Sequence, residues 1–226
     1  LNMSKILLGY WDLRGLGEPI RVMLEHLGVE YDEKKFGHYK SGDGWDRSEW
    51  RSVKFTLGFD YPNLPYLTDG DVKVSESWAI MKYLARKFKV LGAANEEEQI
   101  KCDVAEGVVQ DFRSNFTSMC YNPEFDSLKA NYLSELPAKL TLFEKNLAHG
   151  GWLIGSKLTY VDFALCEILD HIRLCFPGCL DKHEVVLKYL TNFESLEKIA
   201  AYRKSGRFQE FPINGKMAMW GGESRK

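Results

Sequence analysis

A mixed α/β half followed by an all-helical half is the fold class that this 226-residue sequence predicts, and three observations point to it. Up to Phe88, short apolar runs bounded by turn signals are interleaved with segments of helical period. A joint containing Gly92, Ala93 and Ala94 follows at residues 89–95. Beyond it strand signals disappear and apolar residues recur on a helical period.

The first run, residues 5–9, ends at Tyr10-Trp11 and is bounded by the polar turn 12–17, so it predicts a buried strand. A helix is expected from Pro19, with Ile20, Met23, Leu24 and Leu27 at helical spacing, Glu18 at its start and Gly28 as its stop. Residues 29–35 read as a second strand. That strand-helix-strand order implies a right-handed parallel crossover, whereas Asp69-Gly70 between two later strands implies an antiparallel hairpin. A mixed four-stranded sheet results. Residues 36–59 form a long polar and aromatic segment with His38, Trp45, Arg47, Trp50 and Lys54, and connections of that length are usually functional. Trp78, Ile80, Met81, Leu84 and Phe88 then fall on one helical period, closing the half in a thioredoxin-like order.

In the second half Asn95-x-x-Glu98 is a helix-start signal, and Ile100, Val104, Val108, Phe112 and Phe116 predict a long apolar stripe. Leu133, Leu136, Leu140, Phe143 and Leu147 repeat the pattern after Pro123. Thr159-Tyr160-Val161-Asp162 resembles a capping box and opens a strongly apolar helix through Phe163, Leu165, Ile168, Leu169 and Ile172, the expected core of this half.

Composition narrows the function. At 45% hydrophobic the chain can bury a substantial core, and a net charge of −2 with a pI near 6.3 supplies no basic field for nucleic acid. No apolar run approaches the roughly 18–20 residues that span a bilayer, and Met3 reads as the natural start with no signal peptide behind it. A soluble cytoplasmic protein is expected, with no membrane partner. The 5 cysteines contain no C-x-x-C pair, which fits free thiols in a reducing compartment. Cys175 and Cys179 have no histidine at ligand spacing, so no metal is expected. Gly15-Leu16-Gly17 lacks the third glycine of a nucleotide loop.

Local chemistry suggests the ligand. In Tyr61-Pro62-Asn63-Leu64-Pro65-Tyr66-Leu67 a proline at a strand entry leaves the backbone of Leu64 free to pair with an extended ligand. Glu76-Ser77 opens a helix whose bare N–H groups favour a carboxylate, although ordinary helix capping accounts for the same residues. Trp50 and Lys54 share a face if a helical turn forms, and with Arg47 they suit a second carboxylate; the alternative is a solvated basic face beside a half-buried Trp. Tyr10 sits at the C-terminal edge of the sheet, where open α/β folds place ligands, or is simply a packed aromatic. Asp111 reads as an exposed intrahelical charge. A short, acidic, peptide-like ligand satisfies the set.

Taken in order, Gly9-Tyr10-Trp11, Asp46-Arg47-Ser48-x-Trp50, Lys54-Phe55, Pro62-Asn63-Leu64-Pro65-Tyr66, Cys120-Tyr121-Asn122-Pro123, Val161-Asp162-Phe163 and Lys216-Met217-Ala218-Met219-Trp220 resemble the mu-class cytosolic glutathione transferases, essentially end to end. The resemblance implies the glutathione transferase fold: a thioredoxin-like glutathione-binding domain at residues 3–88, a linker at 89–95, and an all-helical domain at 96–226 forming the electrophile pocket. It implies glutathione as co-substrate. Tyr10 would donate to its sulfur, with Trp11 and Leu16 also in the site. Leu64 and a cis Pro65 would meet the cysteinyl backbone, Asn63 would add a polar contact, and Glu76 and Ser77 would take the γ-glutamyl end. Arg47, Trp50 and Lys54 would hold the glycyl carboxylate, and Asp111 of the partner subunit would reach the ammonium of a homodimer's ligand. Tyr121, Arg113, Asn214 and Gly215 would face the electrophile.

Several residues depart from the family pattern. Arg113 stands where His is common, Asn214 where Phe is usual and Gly215 where Ser is common, which makes the pocket more polar. Glu76 replaces a usual Gln, and Tyr61 stands where the family inserts a Phe into the neighbouring subunit. The implied activity is detoxifying conjugation of glutathione to small xenobiotic or endogenous electrophiles. The alternative is a binding protein that sequesters apolar ligands such as haem.

Overall fold

The computed structural model describes residues 5–37, 39–41 and 44–223, and side chains throughout that set except at 39–41, 44 and 45. Met3, His38 and the Trp45 side chain lie outside it.

The sheet has the order β2-β1-β5-β6. Strand β1 (Ile6–Trp11) runs parallel to β2 (Tyr31–Phe36), from Ile6 opposite Tyr31 to Trp11 opposite Phe36. On its other side β1 lies antiparallel to β5 (Tyr66–Asp69), with Leu8 opposite Leu67, and β5 turns at Gly70 (φ 62°) into β6 (Val72–Ser75). Between β1 and β2, α1 (Glu18–Leu27) has Pro19 in its first turn and ends on Gly28 in the left-handed conformation, φ 70°. The mixed sheet and this helix match the sequence reading, but β1 extends two residues past the expected strand end, because Tyr10 and Trp11 pair with Lys35 and Phe36. Tyr10 is therefore held by the ladder instead of standing beyond it.

The long segment after β2 is not a bare loop. It holds a short hairpin, β3 (Tyr39–Ser41) and β4 (Gly44–Asp46), and a helix, α2 (Ser48–Val53). Strand-length alternation is absent over such short elements, which is why periodicity missed the hairpin. Helix α3 (Ser77–Phe88) follows β6 and buries Ile80, Met81, Leu84 and Ala85.

The remainder is helical: α4 (Glu96–Tyr121), α5 (Phe125–Leu147), α6 (Tyr160–Cys175), α7 (Glu184–Ser195) and α8 (Glu197–Lys204). At the start of α4, Asn95 Oδ1 accepts from the Glu98 N–H at 2.9 Å. Helix α6 begins with a complete capping box, Thr159 with Asp162, and every residue from Tyr160 through Ile172 is buried. It is the central core helix, packing against α1, α3, α4 and α7. The α4 stripe is the exception to its expected role: Phe112 and Phe116 are buried, but Ile100, Val104 and Val108 are 57%, 63% and 45% exposed. No helix among the described residues is long and apolar enough to cross a membrane.

Candidate active site

Because β1 carries Tyr10 on its last residues, the ring is packed in a cluster with Leu13, Phe36, Trp50, Leu64 and Tyr66 and is 6% exposed. The chain then doubles back as 12–17, and the Leu16 N–H donates to the Tyr10 hydroxyl oxygen at 2.9 Å. That approach requires glycine on both sides. A Cβ on Gly15, whose φ is +45°, would lie 2.5 Å from Tyr10 Oη, and one on Gly17 would lie 2.5 Å from Tyr10 Cδ1. Burial raises the Tyr10 pKa above its ordinary value, opposed by the charge of Arg113 and by the Leu16 N–H. The phenol therefore stays protonated at neutral pH, and with its oxygen already accepting from Leu16 its own proton is available to a ligand.

Tyr10 opens into a cavity of about 360 Å³. Trp11, Leu16, Arg47, Arg113, Tyr121, Asn214 and Gly215 line it too, so four separate stretches of chain, around β1, the start of α2, α4 and the C-terminal segment, converge there. Tyr121 closes α4; its hydroxyl oxygen accepts from the Gly215 N–H at 2.6 Å, leaving its proton free, and burial raises its pKa. Asn214 is buried, and its Nδ2 donates to the Trp220 carbonyl at 3.0 Å, which fixes the side chain against the closing segment. Arg47 Nη2 lies 3.1 Å from Met217 Sδ, bridging the α2 region to that segment.

The remaining expected residues do not line this cavity; of them, Trp50 and Leu64 adjoin it through the aromatic cluster they share with Tyr10. Trp50 is 6% exposed, not half-buried, with its ring stacked on Tyr66 at 6.1 Å and edge-on to Phe36 at 5.3 Å. Lys54 follows α2, its backbone N–H bonded to the Trp50 carbonyl at 2.9 Å and its ammonium 5.3 Å from the Phe55 ring centroid. The Leu64–Pro65 peptide bond is cis, and Leu64 lies outside the strand ladder that starts at Tyr66. Asn63 Nδ2 donates to Glu76 Oε1 at 2.9 Å. Glu76 itself is a non-glycine residue at φ 72°, ψ 123°, a conformation that costs about 1–3 kcal/mol and persists only where the surroundings impose it. The Glu76 side chain makes no capping hydrogen bond to α3, so ordinary capping by the residue at its start is not what the structure shows, and Ser77 at the first position is buried. Asp111 is exposed on α4 and does not line the cavity of its own chain.

Leu13, Gly15, Thr117 and Met217 also line the cavity and were not anticipated. A signal existed for Gly15: a Gly-x-Gly in the turn that follows a strand carrying a tyrosine near its end marks close backbone approach as readily as a nucleotide loop. Leu13, Thr117 and Met217 carry no signature beyond their neighbours. The cysteines are chemically quiet. Burial pushes Cys102 and Cys179 up to about 11, Cys120 to about 12 and Cys175 higher still, and holds Cys166 well above its ordinary value. Among the described residues no group of His, Cys, Asp and Glu could hold a metal ion.

Comparison with known proteins agrees with this layout. The family profile described as glutathione S-transferase, N-terminal domain, matches residues 7–86, and that of the C-terminal domain matches residues 110–206. Glutathione S-transferase Mu 3 of Homo sapiens is 46% identical over 218 residues, covering 96% of each chain. Glutathione S-transferase Mu 1 of Mus musculus is 46% identical over 217 residues, covering 95% of this chain and 98% of that one. Among solved structures, the glutathione S-transferase Blo t 8 superposes with a TM-score of 0.86 at 35% identity, over 95% of this chain and 99% of that one. A Pi-class glutathione S-transferase of Onchocerca volvulus gives 0.81 at 30% identity, over 95% and 100%. With both profiles matched in order and near-half identity to mu-class proteins over almost the whole chain, this protein belongs to the glutathione S-transferase family, within its mu class.

Proposed function

We propose that this enzyme activates glutathione as a thiolate and adds it to small electrophiles in the cavity beside Tyr10. The observation that carries the proposal is the Tyr10 hydroxyl: buried, protonated, its oxygen satisfied by Leu16 and its proton free at a cavity wall. A thiol of pKa about 8.5 is only a few per cent ionised at pH 7, and the thiolate is the nucleophile. A hydrogen bond to a charged group, worth about 1.5–3 kcal/mol, lowers that pKa by about one to two units.

The tripeptide has sites in keeping with its chemistry. The uncapped start of α3 at Glu76 and Ser77, with Glu76 steadied by Asn63, receives the γ-glutamyl carboxylate. The off-ladder backbone of Leu64 before cis Pro65 pairs with the cysteinyl residue, beside Trp11 and Leu16. Arg47, Trp50 and Lys54 hold the glycyl carboxylate. The electrophile meets Tyr121, Arg113, Asn214 and Gly215. Residues 3–88 act as the glutathione-binding domain, 89–95 as a joint, and 96–226 as the domain that supplies most of the electrophile's surroundings.

The working unit is a homodimer. Tyr61 is 81% exposed, and α4 and α5 present Ile100, Val104, Val108 and Leu142 around a cleft of about 870 Å³. Exposed apolar surface of that extent calls for a partner, and Tyr61 of a second copy suits it, which would also bring in Asp111 of the partner subunit. A cytoplasmic location and a detoxifying role toward xenobiotics accord with the reading and are checked by cell fractionation and by toxicant survival of a strain lacking the protein. Sequestration of apolar ligands such as haem is not favoured, since the mu-class relatives are named as transferases and the buried Tyr10 hydroxyl faces its cavity with a free proton.

The test is retention on immobilised glutathione followed by conjugation of 1-chloro-2,4-dinitrobenzene. Retention with turnover is expected; retention without turnover would shift the function to ligand binding.

A further inference from the structure

The cavity beside Tyr10 contains a cation with no hydrogen-bond or salt-bridge partner among the described residues. Arg113 projects from α4, is half-buried, and lines the cavity together with Tyr10 and Tyr121. Among the described residues its guanidinium makes no hydrogen bond and no ion pair. The carboxylate that acts on it, Glu167, is already engaged: Arg14 donates to both its oxygens at 2.9 Å, and His171 Nε2 lies 2.7 Å from Oε1. Burial correspondingly works against the Arg113 charge, with Tyr10, Glu167 and Tyr121 only partly offsetting it. An arginine remains charged regardless, and a desolvated charge without a partner is unfavourable until a ligand brings the opposite one. Arg47, the other cation at this cavity, is turned toward Met217 Sδ and is assigned above to glutathione.

We infer that Arg113 makes this cavity selective for electrophiles that carry a carboxylate, specifically α,β-unsaturated carbonyl compounds bearing an acid group. The inference rests on the transferase reading given above. A guanidinium binds a carboxylate through two parallel hydrogen bonds, which fixes orientation as well as adding affinity. A cavity of about 360 Å³ is at the small end of the range for ligand sites and accommodates a compact acid of this kind. Tyr121, whose oxygen is filled by Gly215, keeps its proton for the substrate's carbonyl oxygen. In the reaction the glutathione sulfur forms a bond to the β-carbon, the carbon–carbon π pair shifts to join the α-carbon to the carbonyl carbon, and the carbonyl π pair moves onto oxygen as an enolate. The α-carbon then takes a proton from water. Arg113 binds the carboxylate throughout and is not consumed.

The probes are ethacrynic acid and its methyl ester, which share the unsaturated ketone and differ in the charge. For each, kcat/KM is divided by the uncatalysed rate constant with glutathione. Wild type is expected to favour the acid. A bidentate charged contact is worth roughly tenfold or more, so Arg113→Gln is expected to lower the acid-to-ester ratio by about that factor, mainly through the KM for the acid. Arg113→Lys, which keeps the charge without the fork, should restore part of it. A wild type that conjugates 1-chloro-2,4-dinitrobenzene yet shows no preference for the acid overturns this inference alone, and that measurement requires no variant to fold. So does an unchanged ratio in Arg113→Gln. A wild type that conjugates none of the three overturns the transferase reading and this inference with it.

Discussion

At the scale of single residues, the site depends on how closely the backbone approaches one phenol. Leu16 can donate to Tyr10 only because Gly15 and Gly17 leave room, so Gly17→Ala inserts a methyl group 2.5 Å from the ring. Overpacking of that kind typically costs about 1–3 kcal/mol. Gly17→Ala is expected to lose turnover with a small fall in Tm, because Tyr10 must move. Turnover within twofold of wild type would show that the phenol's position is not controlled by this turn. Tyr10 itself was legible from its place after the first apolar run, and its partners Arg47, Trp50 and Lys54 from their residue types. The donor to its hydroxyl was not, because Leu16 acts through a backbone N–H that no side-chain pattern reveals. Likewise Glu76 could be located from the sequence, but not its strained backbone, which is imposed by the junction of β6 and α3.

Among elements, those with strong local signals were readable and the rest needed tertiary context. Helix α6 announces itself by a capping box and an apolar run, and the structure buries it throughout Tyr160–Ile172. Helix α4 has an equally regular stripe with a different meaning: its C-terminal residues Phe112 and Phe116 enter the core, while Ile100, Val104 and Val108 face outward beside the cleft shared with α5. Periodicity reports that a face is apolar and not what covers it. If a second copy covers it, Val104→Glu places a charge in the contact, and Tyr61→Ala removes the group that enters the cleft. Both are expected to shift the protein from dimer toward monomer in sedimentation velocity at micromolar concentration. Unchanged dimers in both variants would place the subunit contact elsewhere.

Across the whole molecule, a buried ionic network joins the two halves where the active-site turn begins. Arg14 is fully buried, held by Glu167 through both its oxygens at 2.9 Å and by Asp170 at 2.5 Å, while its backbone N–H donates to the Pro212 carbonyl. Burial alone would raise the Glu167 pKa, but Arg14 and then His171 overcome it and hold the carboxyl well below the usual range. Breaking one partner of a buried pair costs about 3–5 kcal/mol. Glu167→Gln, with Asp170 still in place, should fall near the lower figure and lower Tm by roughly 6–12 °C for a chain of this size. Because the folded carboxyl titrates below its unfolded value near 4.3, its contribution is present above that pH and is lost on further acidification. The stability gap between wild type and Glu167→Gln should therefore narrow below about pH 4; a gap constant down to pH 3 would refute the assignment. Nothing in the sequence paired Arg14 with Glu167, since their contact exists only once the halves are packed. The same packing sets the Tyr10 hydroxyl at the mouth of the cavity between them, and the central claim is that this hydroxyl stabilises a thiolate. Its most direct test is the ultraviolet titration of glutathione bound to wild type and to Tyr10→Phe. The account predicts an apparent thiol pKa about one to two units below 8.5 in wild type and a return toward 8.5 in the variant with glutathione affinity nearly unchanged; the same pKa in both proteins would contradict it.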